Sequence, residues 1–115
     1  MRFIITFAIL LLFLSSCTYN ELPPIPVCES DTPSFSTCVK PIMDLHCFVC
    51  HSDASLNEDL SNYDAIRHYV INGDLLDRIQ RAEGSEGFMP LGGNKLDNVQ
   101  IEILIKWKNN GAPDN

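Results

Sequence analysis

An apolar run from Phe3 to Leu14, broken only by Thr6 and preceded by Arg2, opens the chain. Thr18 to Ser34 follows with Pro23, Pro24, Pro26 and Pro33 and no periodic apolar pattern. Beyond it, apolar positions recur at helical spacing in four pieces. Ser36 is placed to cap a helix with Val39, Ile42, Met43 and His46 on one face, and Pro41 must fall in its first turn or kink it. Ser61-Asn62-Tyr63-Asp64 has the form of a capping box with Asp in place of Glu or Gln. It predicts a helix with Tyr63, Ile66 and Val70 at i, i+3 and i+7, ended by Gly73. Asp74 to Arg81 reads as a short third helix with Leu75, Leu76 and Ile79 inward. Asp97, with Gln100 three positions on, caps the last helix. Its stripe is Ile101, Leu104, Ile105 and Lys108, and Gly111 and Pro113 stop it. Gly84 to Lys95 is a glycine-rich loop that holds Met89. No stretch alternates with period two for long enough to argue a sheet, and no internal repeat is visible. The pattern predicts an all-α domain.

The opening segment changes the picture of where that domain begins. A charged start, a short apolar core and the small-residue exit Leu14-Ser15-Ser16-Cys17 describe a secretory signal over residues 1–16. The apolar core is shorter than the ~20 residues a membrane-spanning helix needs. Leu-Ser-Ser-Cys resembles the lipobox of bacterial lipoproteins. That resemblance implies cleavage before Cys17 and lipidation of its sulfur, with several acyl chains anchoring firmly at about 0.8 kcal/mol per buried methylene. Residues 17–34 then form a lipid-anchored Pro-rich tether. At ~3.1 Å per residue, its first ten residues reach ~30 Å. The domain is expected over residues 35–115.

The whole chain has 115 residues and a formal charge of −7. Loss of residues 1–16 removes Arg2 and no acid, so the remainder is more negative by one. An acidic surface argues against nucleic acid as a partner and suits proteins with basic patches. A domain this small often needs a cofactor or a disulfide.

Five cysteines in an exported chain invite a disulfide reading, yet the odd number leaves one over. The lipobox accounts for Cys17. Cys47-Phe48-Val49-Cys50-His51 matches the C-x-x-C-H haem-attachment motif. Cys28 and Cys38 remain, and they could either pair or stay reduced. A bridge would close a loop of about 11 residues and contribute about 3 kcal/mol in the chain-entropy model. A zinc ribbon needs a second close cysteine pair, and Cys28 and Cys38 have the wrong spacing. A thioredoxin-like dithiol needs a strand–helix setting that the pattern lacks.

Covalent haem suits these residues. Two sulfurs must point the same way to form thioethers with the two vinyl groups, and i, i+3, i+4 positions share a helical face. Cys47, Cys50 and His51 have that spacing, so the imidazole reaches the iron on the side of attachment. Met89, in Gly87-Phe88-Met89-Pro90-Leu91-Gly92-Gly93, is the candidate for the other axial position, because a thioether is a soft ligand that raises the potential. A core methionine is the alternative. His68 is the rival distal ligand, although a surface histidine fits it better. Trp107 is read as packing, with an indole N–H that could reach a haem propionate.

With these residues in place, the chain resembles the small monohaem cytochrome c family. The matching residues are Phe35-Ser36, Val39-Lys40-Pro41-Ile42-Met43, the Cys47–His51 motif, Met89-Pro90, Gly93-Asn94-Lys95-Leu96, Ile105-Lys106-Trp107 and Gly111-Ala112-Pro113. The resemblance spans roughly Phe35 to Pro113. It implies an all-helical fold wrapped around one covalent haem c, with the first and last helices packed together. It implies thioethers at Cys47 and Cys50, His51 as proximal ligand and Met89 as distal ligand. The short glycine-rich Gly84–Gly87 stretch and the Cys28/Cys38 pair depart from the general pattern.

The function expected is that of an exported electron carrier rather than an enzyme. It would be lipid-anchored to a bacterial membrane and would face the periplasm, with the cell surface as the alternative. It would pass single electrons between a redox donor and an acceptor. A haem-based sensory module and an accessory cytochrome subunit of a larger oxidoreductase are the other readings of the same motif.

Overall fold

A computed structural model describes Cys28, residues 30–52 and residues 58–115. The predicted signal over residues 1–16, the lipid site Cys17 and the tether as far as residue 27 lie outside these. Among the described residues every regular element is helical. A π-helical turn, Phe35–Val39, runs straight into α1, Lys40–His46. Then come α2, Tyr63–Ile71, α3, Leu75–Gln80, and α4, Asn98–Asn109. The first and last segments pack together, α4 also packs on α3, and α3 on α2. None of the described helices is long and apolar enough to cross a membrane.

The expected Ser36 cap is not used. Helical bonding starts earlier, with the N–H groups of Cys38 and Val39 both on the Ser34 carbonyl. The residue that caps this start is Asn115. Its Oδ1 accepts from the Phe35 N–H at 2.7 Å and its carbonyl accepts from the Ser36 N–H at 2.9 Å. The Ser34 hydroxyl also donates to that carbonyl. Pro41 explains the π turn. In a regular α-helix its ring would clash with the carbonyl of Thr37, and a wider turn ahead of it relieves the clash.

A second cap lies one residue from its expected place. Asn62, not Ser61, is extended and accepts from the Ala65 N–H at 3.0 Å, so the Ser61–Asp64 box does not form. The box at Asp97 and Gln100 forms in full: Asp97 accepts from the Gln100 N–H and Gln100 from the Asp97 N–H. At the other end of α4, Gly111 at φ +85° takes the left-handed position that a helix stop requires. The N–H groups of Gly111 and Ala112 then satisfy the carbonyls of Lys108 and Trp107. The buried face of α4 is Ile101, Ile103, Leu104 and Trp107, whereas the expected Ile105 and Lys108 are only half-buried.

Trp107 is fully buried. Phe35 stacks on it at 5.5 Å and Tyr63 meets both rings edge-on, so three elements join at one aromatic cluster. Such pairs add about 0.5–1.5 kcal/mol each beyond area burial. The indole N–H donates to the Pro113 carbonyl at 3.0 Å and the Tyr63 hydroxyl to the Ala112 carbonyl at 2.8 Å. Trp107 is therefore packing, and its N–H is already committed.

The end of the predicted tether packs on the domain. Pro33 is fully buried, and Asn110 Nδ2 donates to the Asp31 carbonyl at 2.6 Å. The sulfurs of Cys28 and Cys38 stand 2.12 Å apart, a disulfide distance, and Cys38 is buried in the core.

Candidate functional site

Cys47 ends α1, its N–H bonded to the Met43 carbonyl. One further turn follows, in which the N–H groups of Cys50 and His51 both donate to the Cys47 carbonyl, at 3.2 and 3.0 Å. The i, i+3, i+4 spacing is thus a real helical turn, and Cys47, Cys50 and His51 line one cleft of about 250 Å³. Met89 lines the same cleft, although it lies 38 positions after His51. Its N–H donates to the Arg78 carbonyl at 3.3 Å, which fastens the glycine-rich loop to α3.

The cleft is mainly apolar. Leu60, Leu75 and Ile79 contribute buried surface, and Tyr69, Pro90 and Leu91 complete the apolar lining. Leu75 and Ile79 come from the inward face of α3. Glu58, Asp74 and Arg78 supply charge. Arg78 Nε donates to Asp74 at 2.6 Å, and this hydrogen bond holds the Asp74 carboxyl below the usual carboxylate range.

The imidazole of His51 is oriented by the backbone. Its Nδ1 lies 2.8 Å from the Glu58 carbonyl oxygen. A carbonyl can only accept, so Nδ1 carries the proton, and in the neutral imidazole Nε2 then keeps its lone pair for a ligand. The Leu60 N–H donates back to the His51 carbonyl at 2.7 Å, so both ends of the residue are fixed. His46 also reaches the cleft, but its Nε2 accepts from Gln100 Nε2 at 3.1 Å. The capping box sets that orientation, because Gln100 Oε1 is occupied by the Asp97 N–H.

Burial pushes the Cys47 thiol up to about 11 from 9.0. Its Sγ lies 3.9 Å from the Met43 sulfur. A thiol raised in this way is a poor nucleophile at neutral pH, which weighs against a reactive dithiol at Cys47 and Cys50. His68 is exposed on α2 and stacks edge-on against Tyr69, while Tyr69 itself lines the cleft.

No family model, curated protein or solved structure matches the chain.

The sequence pattern singled out Cys47, Cys50, His51 and Met89, and the fold brings all four to one cleft. It did not single out the Glu58 carbonyl, Leu60, Tyr69 or the Asp74–Arg78 pair as site residues. For Leu75 and Ile79 the signal was present, as the inward face of a short helix. For the Glu58 carbonyl none existed, because any residue supplies that group.

Proposed function

We propose that this chain is a monohaem c-type cytochrome that carries single electrons. One observation carries the reading: two thiols at i and i+3, an imidazole with its Nε2 lone pair kept available, and a thioether from a distant loop line one apolar cleft. The donor chemistry fits haem c. Cys47 and Cys50 would hold the two vinyl carbons, and His51 and Met89 would supply a nitrogen and a sulfur to the iron. Bound there, the group supplies a one-electron couple. The protein's part is to hold both ligands, exclude water and set the local charge. Leu60, Leu75 and Ile79 keep water from the cleft interior. The Glu58 carbonyl strengthens His51 as a donor by holding its Nδ1 proton. Asp74 and Arg78 place a neutralised pair among the lining residues.

The acidic surface, −7 over the whole chain, suits partners with basic patches and association that slows with salt. The signal-like opening and Cys17 support export and lipid anchoring at a bacterial membrane, facing the periplasm.

The test is absorption spectroscopy of protein matured with haem, oxidised and reduced, for wild type and Met89→Ala. A c-type pyridine haemochrome is expected, with a weak far-red ferric band that disappears in the variant. A haem-loaded wild type with no such band, binding carbon monoxide readily, would favour the sensory module instead. Absence of covalent haem would end the cytochrome reading.

A further inference from the structure

The loop that presents Met89 is fastened to α3 at both ends by side chains outside the cleft motif. Arg81 follows the last residue of α3. Its Nε and Nη2 hold Asp77 at 2.9 and 2.5 Å, one turn back on the helix. Its Nη1 donates to the Glu86 carbonyl at 2.8 Å, three residues before Met89. The guanidinium passes directly over Gly87. A Cβ at that position would stand 2.1 Å from Nη1, and Gly87 has φ +72°. Glycine is needed there for its backbone angle, and any side chain would push the guanidinium aside. After Met89, Lys95 Nζ donates to the carbonyls of Gln80 and Arg81, both at 3.0 Å, and the Lys95 N–H donates to Glu83 at 2.9 Å. An ammonium on the last carbonyls of a helix is favoured by their partial negative charge.

From this arrangement we infer that Arg81 is a positioning residue for Met89: its guanidinium, braced by Asp77, holds the Glu86 carbonyl and so keeps the Met89 side chain in the cleft. Arginine suits the task because its planar fork can serve a carboxylate and a carbonyl at once, whereas lysine offers one compact ammonium. Nothing in the resemblance assigns this role, and the inference rests on Met89 serving the proposed haem.

The experiment uses the full chain, haem-loaded and haem-free, as wild type, Arg81→Met, Arg81→Lys, Gly87→Ala and Asn115→Ala. Arg81→Met keeps the stem and removes all three hydrogen bonds. Gly87→Ala crowds the guanidinium and also strains the φ +72° backbone, so it loosens the same stretch of loop from the other side. Asn115→Ala removes a cap at the start of the first helix and serves as the control for general loss of stability. In haem-loaded protein, Arg81→Met and Gly87→Ala should weaken the far-red band and speed carbon monoxide binding by about tenfold, the scale of one lost charge-assisted hydrogen bond. Arg81→Lys should recover part of this, and Asn115→Ala should leave the band in place. In haem-free protein, the Met89 amide, bonded to Arg78, should exchange about tenfold faster in Arg81→Met than in wild type. An unchanged band and unchanged exchange in Arg81→Met would overturn the inference, as would equal losses in Asn115→Ala. If wild type takes up no haem, the cytochrome reading fails, and the amide exchange alone decides the role of Arg81.

Discussion

Replacing Tyr63 with Phe removes one hydroxyl and leaves the ring where it is. That hydroxyl donates to the Ala112 carbonyl at 2.8 Å, and Ala112 is completely buried. The ring's contacts with Phe35 and Trp107 survive the change. The loss is therefore one hydrogen bond plus the exposure of a buried acceptor without its donor, about 1 to 2 kcal/mol. A domain of this size has a urea slope of about 1 kcal/mol per M, so the midpoint should fall by about 1 to 2 M. Urea denaturation of the full chain with its disulfide intact measures this, with tryptophan fluorescence as the signal because Trp107 is the only tryptophan. The slope itself should not change, since the same surface is exposed on unfolding. An unmoved midpoint would refute the reasoning, and with it the claim that this cluster joins the starts of the first helical segment and α2 to the end of α4.

Three other outcomes follow from particular residues. In haem-free protein the Cys47 thiol has its folded value raised to about 11 from 9.0. Its contribution is complete below about pH 9 and is lost as pH rises through about 11, a fall of about 3 kcal/mol that Cys47→Ala should lack in urea titrations across that window. Replacing Cys28 and Cys38 together with Ala should lower stability by about 3 kcal/mol. The same variant should still take up haem, as a haemochrome assay would show, because neither residue lines the cleft. His68→Asn should leave the oxidised and reduced spectra unchanged, since His68 is exposed and Met89 lines the cleft.

Much of the fold can be read from local signals. The Asp97–Gln100 box, the Gly111 stop and the inward faces of α2 and α3 each depend on residues within a turn of one another, and each is where the sequence places it. Errors arise where a distant or neighbouring group competes. Ser36 looks like a cap, but Asn115 arrives from far along the chain and caps Phe35 and Ser36 instead. Asn62 takes the cap from Ser61, since either side chain can serve and the chain's approach decides. The stripe of α4 shifts, with Ile103 and Trp107 buried where Ile105 and Lys108 are expected, and Trp107 meets Phe35 of the first helical segment, a contact that local spacing does not announce. In the site, the attachment turn was legible because its geometry is local. That Met89 shares its cleft is a tertiary fact, fixed by the loop's bonds to α3. Backbone partners such as the Glu58 carbonyl leave no trace in the sequence.

The most direct test of the account is the intact mass of the haem-matured protein under denaturing acid, for wild type, Cys47→Ala, Cys50→Ala and the variant with both substitutions. The account predicts that wild type keeps the added mass of one haem after acid extraction, that each single variant keeps it through one remaining thioether at reduced yield, and that the double variant carries none. A wild-type mass without haem, from cells that load haem onto other c-type cytochromes, would contradict the central claim.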